Sequence, residues 1–183
     1  MTVDEIFNKL VTHMCEGVAI HKEMAKAYDF LGLWGLSKCH IYHMFEEKQG
    51  YCCLSHYYAS HYFKLLQLEE ISKSKIIPET WYKYTTQAVD NNTKRNAVKD
   101  LMTKWVEWER ETKKFYQKMR QELTAIDELA AAMKLDCYIR DVSKELHQAE
   151  KDLIELETTG YDISNIIKWS HSLNKKYKKK LGW

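Results

Sequence analysis

The side chains best equipped for chemistry crowd into one stretch, Ser37 to Leu66, which reads SKCHIYHMFEEKQGYCCLSHYYASHYFKLL. It carries four of the chain's eight histidines, three of its five cysteines and five of its twelve tyrosines, so imidazole, thiol or phenol chemistry is sought here first. Its one glycine, Gly50, costs a helix only about 1 kcal/mol, and no proline interrupts it. Wound as an α-helix, the stretch sets Leu36, His40, His43, Glu47, Leu54, His61 and Leu65 along one side. Ile41, Phe45, Cys52, Ala59, Phe63 and Leu66 fall on the next side round. A helix apolar over that wide an arc belongs inside a bundle. Its imidazoles and carboxylate then either hold a metal or satisfy one another, with tyrosines nearby as partners.

Other helices must position this one. Val3 to Tyr28 is predicted as the first, with Ile6, Phe7, Leu10, Met14, Val18, His21, Met24 and Ala25 on one stripe and Asp4 and Glu5 in the first turn. Gly32 and Gly35 predict a short turn and an antiparallel neighbour, the histidine-rich helix, over Leu36 to Glu70. Ser72 to Asn92 contains the only proline together with Trp81, Tyr82 and Tyr84, and reads as a crossover strapped down by those rings. Helical period returns at Lys94 and holds to Leu156. One helix of that length would run about 90 Å, so a turn is expected inside it. Thr124 with Asp127 resembles a capping box and is one place for the turn; Lys134 to Asp136 is the other. A basic helix over Ile163 to Lys180 closes the chain. The expected fold is all-α: a four-helix bundle with one long crossover connection and a short basic C-terminal helix. It is read as a single domain, divided into a hairpin (1–71), crossover (72–92), second helical pair (93–159) and basic tail (160–183).

Composition agrees. A chain of 183 residues with 45% hydrophobic content and one proline builds one helical domain and is not disordered. No run is long and apolar enough for a membrane, and the amphipathic start MTVDEIFNKL is no signal peptide. Five cysteines without CxxC spacing read as reduced thiols, which points to the cytoplasm. The net charge of +2 is uneven: six lysines and no acids lie between Lys168 and Trp183, leaving the body at 22 bases against 26 acids. Nucleophile-elbow, P-loop, HExxH and Rossmann motifs are absent from the sequence.

The crossover topology and inward polar groups resemble the ferritin-like superfamily over residues 3 to 158. That resemblance implies a di-metal centre built from helix-borne carboxylates and histidines, with a Glu-x-x-His on the second and fourth helices. Here the order is reversed on the second helix (His43-Met-Phe-Glu46, and His43 with Glu47), and the fourth has Glu145-Leu-His147, one residue too tight. A site assembled from this sequence would use His21, His43, Glu47 and Glu109, the last placed inward between Trp105, Thr112 and Tyr116. Imidazole and carboxylate one turn apart can share iron or another transition metal. Satisfied hydrogen-bonding residues are the competing reading.

Two further patterns compete. Arg140-Asp-Val-Ser-Lys-Glu-Leu-His147 resembles the HEPN ribonuclease motif, with His147 as general base on a face turned from the core. The tail interleaves Lys175, Lys176, Lys178, Lys179 and Lys180 with Trp169, Tyr177 and Trp183, a pattern suited to phosphates and unpaired bases. In size and in lysine and tyrosine content the chain also resembles accessory proteins of phages and mobile elements, among them anti-CRISPR inhibitors. The leading expectation is therefore a non-enzymatic inhibitor without a cofactor. It would dock on a protein or ribonucleoprotein machine through aromatic anchors, with DNA or RNA contact through the tail and self-association as a homodimer to be considered. A ferritin-like metal protein with oxidase or storage chemistry is the alternative, and a HEPN-like ribonuclease the third.

Overall fold

Thr2 opens the first helix through a reciprocal pair of hydrogen bonds. Its hydroxyl accepts from the Glu5 amide at 3.3 Å, and the Glu5 carboxylate accepts from the Thr2 amide at 2.8 Å. This capping box satisfies two donors that a helix start leaves open. Helix α1 runs Val3–Phe30 and α2 runs Trp34–Tyr62 in the computed structural model, which describes residues 1–67 and 90–182. Between them Gly32 takes a left-handed φ of 71°, and its amide donates to the Asp29 carbonyl. Asp90 caps α3, accepting from the Asn92 and Thr93 amides, and α3 continues over Asn91–Ala125. A tight turn through Asp127 leads to α4, Leu129–Thr158. Asp162 then caps α5, Ile163–Leu181.

The all-α fold is the expected one: α1 packs on α2, α3 on α4, α1 on α3, and α5 lies mainly against α2. Of the two candidate turns, the one near Thr124–Asp127 is used, but the expected capping box does not form. Thr124 stays inside α3 with its hydroxyl donating to the Arg120 carbonyl, and α4 starts after Glu128 without a side-chain cap. Lys134 to Asp136 lies inside α4. The crossover and its Trp81, Tyr82 and Tyr84 lie outside the described residues, apart from the cap at Asp90 and the first turn of α3.

Two expectations for α2 are corrected. Its helix ends at Tyr62, eight residues before the expected Glu70, because Phe63 adopts a left-handed φ of 55°. Beyond that cap the chain is tied back to α1: Lys64 pairs with Asp4 at 2.8 Å, and the Gln67 amide donates to Asn8 at 3.0 Å. The second apolar side is also less buried than its composition suggests. Phe45 is 46% exposed and Phe63 91% exposed, so α2 buries one narrow stripe.

Helix α5 is seated by α2 itself. No side chain caps the start of α2. The Gly35 amide, one of the donors left open there, instead donates to the Ser170 hydroxyl of α5 at 3.1 Å. The two backbones come so close at this point that a side chain at 35 would strike the Ser170 carbonyl.

The core is split. One apolar cluster gathers Met24, Tyr28, Leu36, Val98, Leu101 and Trp105 with residues of α4 and α5. The other gathers Ile6, Phe7, Leu10, Met14, Leu54, Met119 and Leu123 with the start of α4. Between them, at mid-height, every one of the four long helices turns polar or small residues inward.

Candidate metal centre

The polar belt is built from residues one helical turn apart. Helix α1 brings His13, Gly17 and His21; α2 brings His40, His43, Glu46 and Glu47; α3 brings Glu109, Thr112 and Tyr116; α4 brings Glu145. His21 and His40 are fully buried with their Nδ1 atoms 3.0 Å apart, one donating and the other accepting. His21 Nε2 lies 3.6 Å from Glu109 Oε1, which accepts from Trp105 Nε1 at 2.9 Å. Glu109 Oε2 is buried without a hydrogen-bond partner.

On the α2–α4 side, His43 Nδ1 lies 3.0 Å from Glu46 Oε2 and 3.7 Å from Glu145 Oε2. It is aligned as a hydrogen bond with neither. His43, Glu46 and Glu145 thus bring three ligand atoms within 4.8 Å of one another. A cavity of about 400 Å³ between α2 and α4 reaches them, lined also by Glu47, Gly50, Tyr116 and Tyr138.

Burial pushes the carboxyls of Glu47, Glu109 and Glu145 each up to about 8, and neighbouring carboxylates add to the shift. Among the described residues no lysine or arginine forms an ion pair with any of the three. Burial opposes charge on His43, but Cys39, Glu46 and Glu145 outweigh it and hold the imidazole above its ordinary range. His21 and His40 go the other way: burial, and then the neighbouring imidazoles, keep them neutral. An orphaned carboxylate oxygen on buried Glu109 and an imidazole nitrogen facing two half-buried carboxylates, where the proton on His43 is the positive charge among the acids, fit a divalent transition metal, for which mixed nitrogen and oxygen donors are suited.

The same shifts fix a pH dependence. The three carboxyls keep in the fold protons that the unfolded chain releases near 4.5, so their stabilising contribution is lost as pH rises towards about 8. Half-buried His13, held down to about 4 by desolvation, and buried His21 and His40 act oppositely: their contribution is complete above 6.5 and lost on acidification. Between about pH 4.5 and 6.5 the two sets oppose one another, and above 6.5 the carboxyl loss is unopposed, so metal-free protein is expected to lose stability from there upward. By about pH 8.5 its Tm falls by roughly 5 °C, a loss of ~2 kcal/mol at this chain length. Differential scanning calorimetry across that range checks it; a flat or rising Tm contradicts it.

All four residues expected to form a metal site lie in this belt. His43 and Glu47 flank the cavity, while His21 and Glu109 sit deeper, joined to each other and, through His21, to His40. Sequence reasoning missed Glu46, Glu145 and His40 as members. Glu145 was discounted because its neighbouring histidine is misplaced; the signal was its own register, one turn from both Val142 and Ala149 of the α4 core stripe. The tail lysines Lys175, Lys176, Lys178, Lys179 and Lys180 are exposed on α5. Lys180 Nζ lies 4.2 Å from the centre of the Tyr42 ring and Lys176 Nζ 5.1 Å from that of Tyr177, so both lie over rings of the protein itself. Trp183 lies outside the described residues.

Five helices in this order, with carboxylates and histidines turned into the middle of the bundle, define a ferritin-like architecture. Solved structures bear this out along nearly the whole chain. A humanized archaeal ferritin matches with a TM-score of 0.75 at 16% identity, covering 93% of this chain and 94% of that one. An open pore ferritin from the hyperthermophilic archaeon Archaeoglobus fulgidus matches with a TM-score of 0.76 at 15% identity, with the same two coverages. A PmFTN variant soaked in iron matches with a TM-score of 0.75 at 11% identity over 92% and 97%. No protein-family profile and no curated protein matches.

These findings overturn the inhibitor reading. A whole-chain ferritin fold replaces the resemblance of size and style to anti-CRISPR proteins, and nothing found supports a nucleic-acid or ribonucleoprotein partner. The expectation of no cofactor is corrected with it, since His43, Glu46 and Glu145 form a group able to hold an ion. The ribonuclease reading falls too: Arg140 and His147 do sit on the exposed side of α4, as expected, but the fold found along the chain is that of the ferritins. Among the described residues no helix is long and apolar enough to cross a membrane.

Proposed function

We propose that this chain is a ferritin-like protein that binds a divalent transition metal, iron foremost, inside its helical bundle. The observation that carries the reading is the convergence of His43 Nδ1 with the Glu46 and Glu145 carboxylates. Half-buried Glu47 and buried Glu109 supply further oxygens, and His21 hydrogen-bonded to His40 orients the deeper side. Iron gives such a site its redox chemistry, whether for oxidation or storage. The residues bind the ion, take its charge and set the cavity between α2 and α4 as the route for it. Exposed Phe45, Phe63, Leu65, Leu129 and Met133 offer apolar surface for self-association, with a homodimer as the simplest assembly.

Anaerobic equilibrium dialysis of the chelator-treated protein against Fe(II) is expected to show uptake. A His43→Ala, Glu145→Ala double variant should weaken that uptake by on the order of 100-fold or more, since outer-shell changes alone cost 10–100-fold. Native protein that takes up no Fe(II), or a double variant that binds as the native chain does, contradicts the proposal.

A further inference from the structure

The belt lacks half of the donors that a paired-metal centre needs. Such centres take a glutamate from each of two helices and a Glu-x-x-His from each of the other two. Here α3 supplies its glutamate, Glu109, and α2 and α4 supply theirs, Glu47 and Glu145. The position on α1 facing Glu47 is Gly17, where a side chain would begin 2.8 Å from Glu47 Cδ; the carboxylate occupies the space instead. Three residues after Glu47 stands Gly50, whose missing side chain would meet Met14 Sδ and the Tyr138 ring, both at 3.3 Å. Three residues after Glu145 stands Gln148, whose amide donates along α4 to Asp152 at 2.8 Å. The α1 carboxylate and both motif histidines are thus absent.

What remains converges on one point. His43 lies one turn before Glu47 on α2, the reverse of the motif, and with Glu46 and Glu145 forms a single group of ligand atoms. No second group of three such side chains comes equally close among the described residues. On the α1 side, His21 already spends its Nδ1 on His40 and stacks against that ring, with centroids 5.3 Å apart.

We infer that the centre holds one divalent ion per chain, not a pair, with His43, Glu46 and Glu145 as its core ligands. The inference rests on the metal-binding reading above and narrows it. A lone ferrous ion releases one electron, whereas dioxygen takes two electrons and two protons to become hydrogen peroxide. A one-ion centre is therefore fitted to capture and hand-over of the ion more than to paired oxidation.

Mn(II) separates the cases without any activity readout. Full-length metal-free protein is titrated with Mn(II), bound metal is counted, and the bound ion is observed by electron paramagnetic resonance. One ion per chain with the hyperfine pattern of an isolated centre is expected. Two ions with an exchange-coupled spectrum overturn the one-ion inference and leave the metal-binding reading standing; no bound ion overturns both. A Gly17→Glu, Gly50→His variant restores two donors at positions where only flexible side-chain ends, or a ring and a thioether, must give way. Checked for native helicity, it should bind two coupled ions; a folded variant that still binds one overturns the assignment of the missing donors.

Discussion

Glu109→Gln is expected to move stability and metal affinity in opposite directions. In the metal-free protein at about pH 8.5 the Glu109 carboxyl must ionise in a site only 1% exposed, with one oxygen bound to Trp105 and the other unpartnered. The amide keeps an acceptor for the Trp105 indole and removes the charge. Ionising a carboxyl that burial holds protonated costs stability, and removing that charge is expected to return ~2 kcal/mol, or roughly 5 °C in Tm. The stabilisation should fade towards pH 6, where Glu109 is already protonated in the native protein. In contrast, Fe(II) or Mn(II) binds the variant more weakly, by on the order of 10-fold or more. Thermal melts at two pH values with and without metal read both effects. A variant that loses stability in the metal-free state at the alkaline pH would make Glu109 a structural residue.

Gly35→Ala is expected to detach α5. A methyl group at 35 falls inside the radius of the Ser170 carbonyl oxygen and 2.6 Å from the Asn174 amide nitrogen. Both are helix backbone, which cannot swing aside as a side-chain tip does. The helices must separate, losing the Gly35 to Ser170 hydrogen bond and uncovering Cys39, Tyr42 and Tyr177. Overpacking of this kind costs about 3 kcal/mol, or roughly 10 °C in Tm for a chain of this length. Gly32→Ala is the control. Its φ of 71° is strained for alanine, but a methyl there meets nothing within 4 Å, so the cost should stay near ~1 kcal/mol. Equal losses for the two variants would remove the close approach as the reason for Gly35.

Much of the architecture was legible because it depends on spacing. The stripes of α1, α3 and α4 and the closing helix from Ile163 follow from apolar period; the turn near Thr124–Asp127 was placed correctly, though by a capping box that does not form. The end of α2 was not, because Phe63, Leu65 and Leu66 prolong its apolar pattern. The helix stops at a left-handed residue held by Lys64–Asp4 and Gln67–Asn8, contacts made across to α1 that no local pattern announces.

The candidate site was half legible. His21, His43, Glu47 and Glu109 follow from helical register, yet the meaning of Gly17 lies in the Glu47 carboxylate that fills its space. Glu46 is visible in the reversed His43-Met-Phe-Glu46 order but is left out of the expected set, and the structure places its carboxylate 3.0 Å from His43 Nδ1. The inhibitor reading drew on aromatic rings and tail lysines. Of those rings Trp105 is core, Trp108, Tyr57 and Tyr62 are half-buried and Trp34 is exposed, while Lys180 lies over Tyr42.

The most direct test of the account is anomalous diffraction from crystals soaked anaerobically in Fe(II), with data collected on either side of the iron edge. The account predicts a peak between α2 and α4, within bonding distance of His43, Glu46 and Glu145. Iron found only on the surface, or the His43 pocket empty beside fully ordered carboxylates, would contradict it.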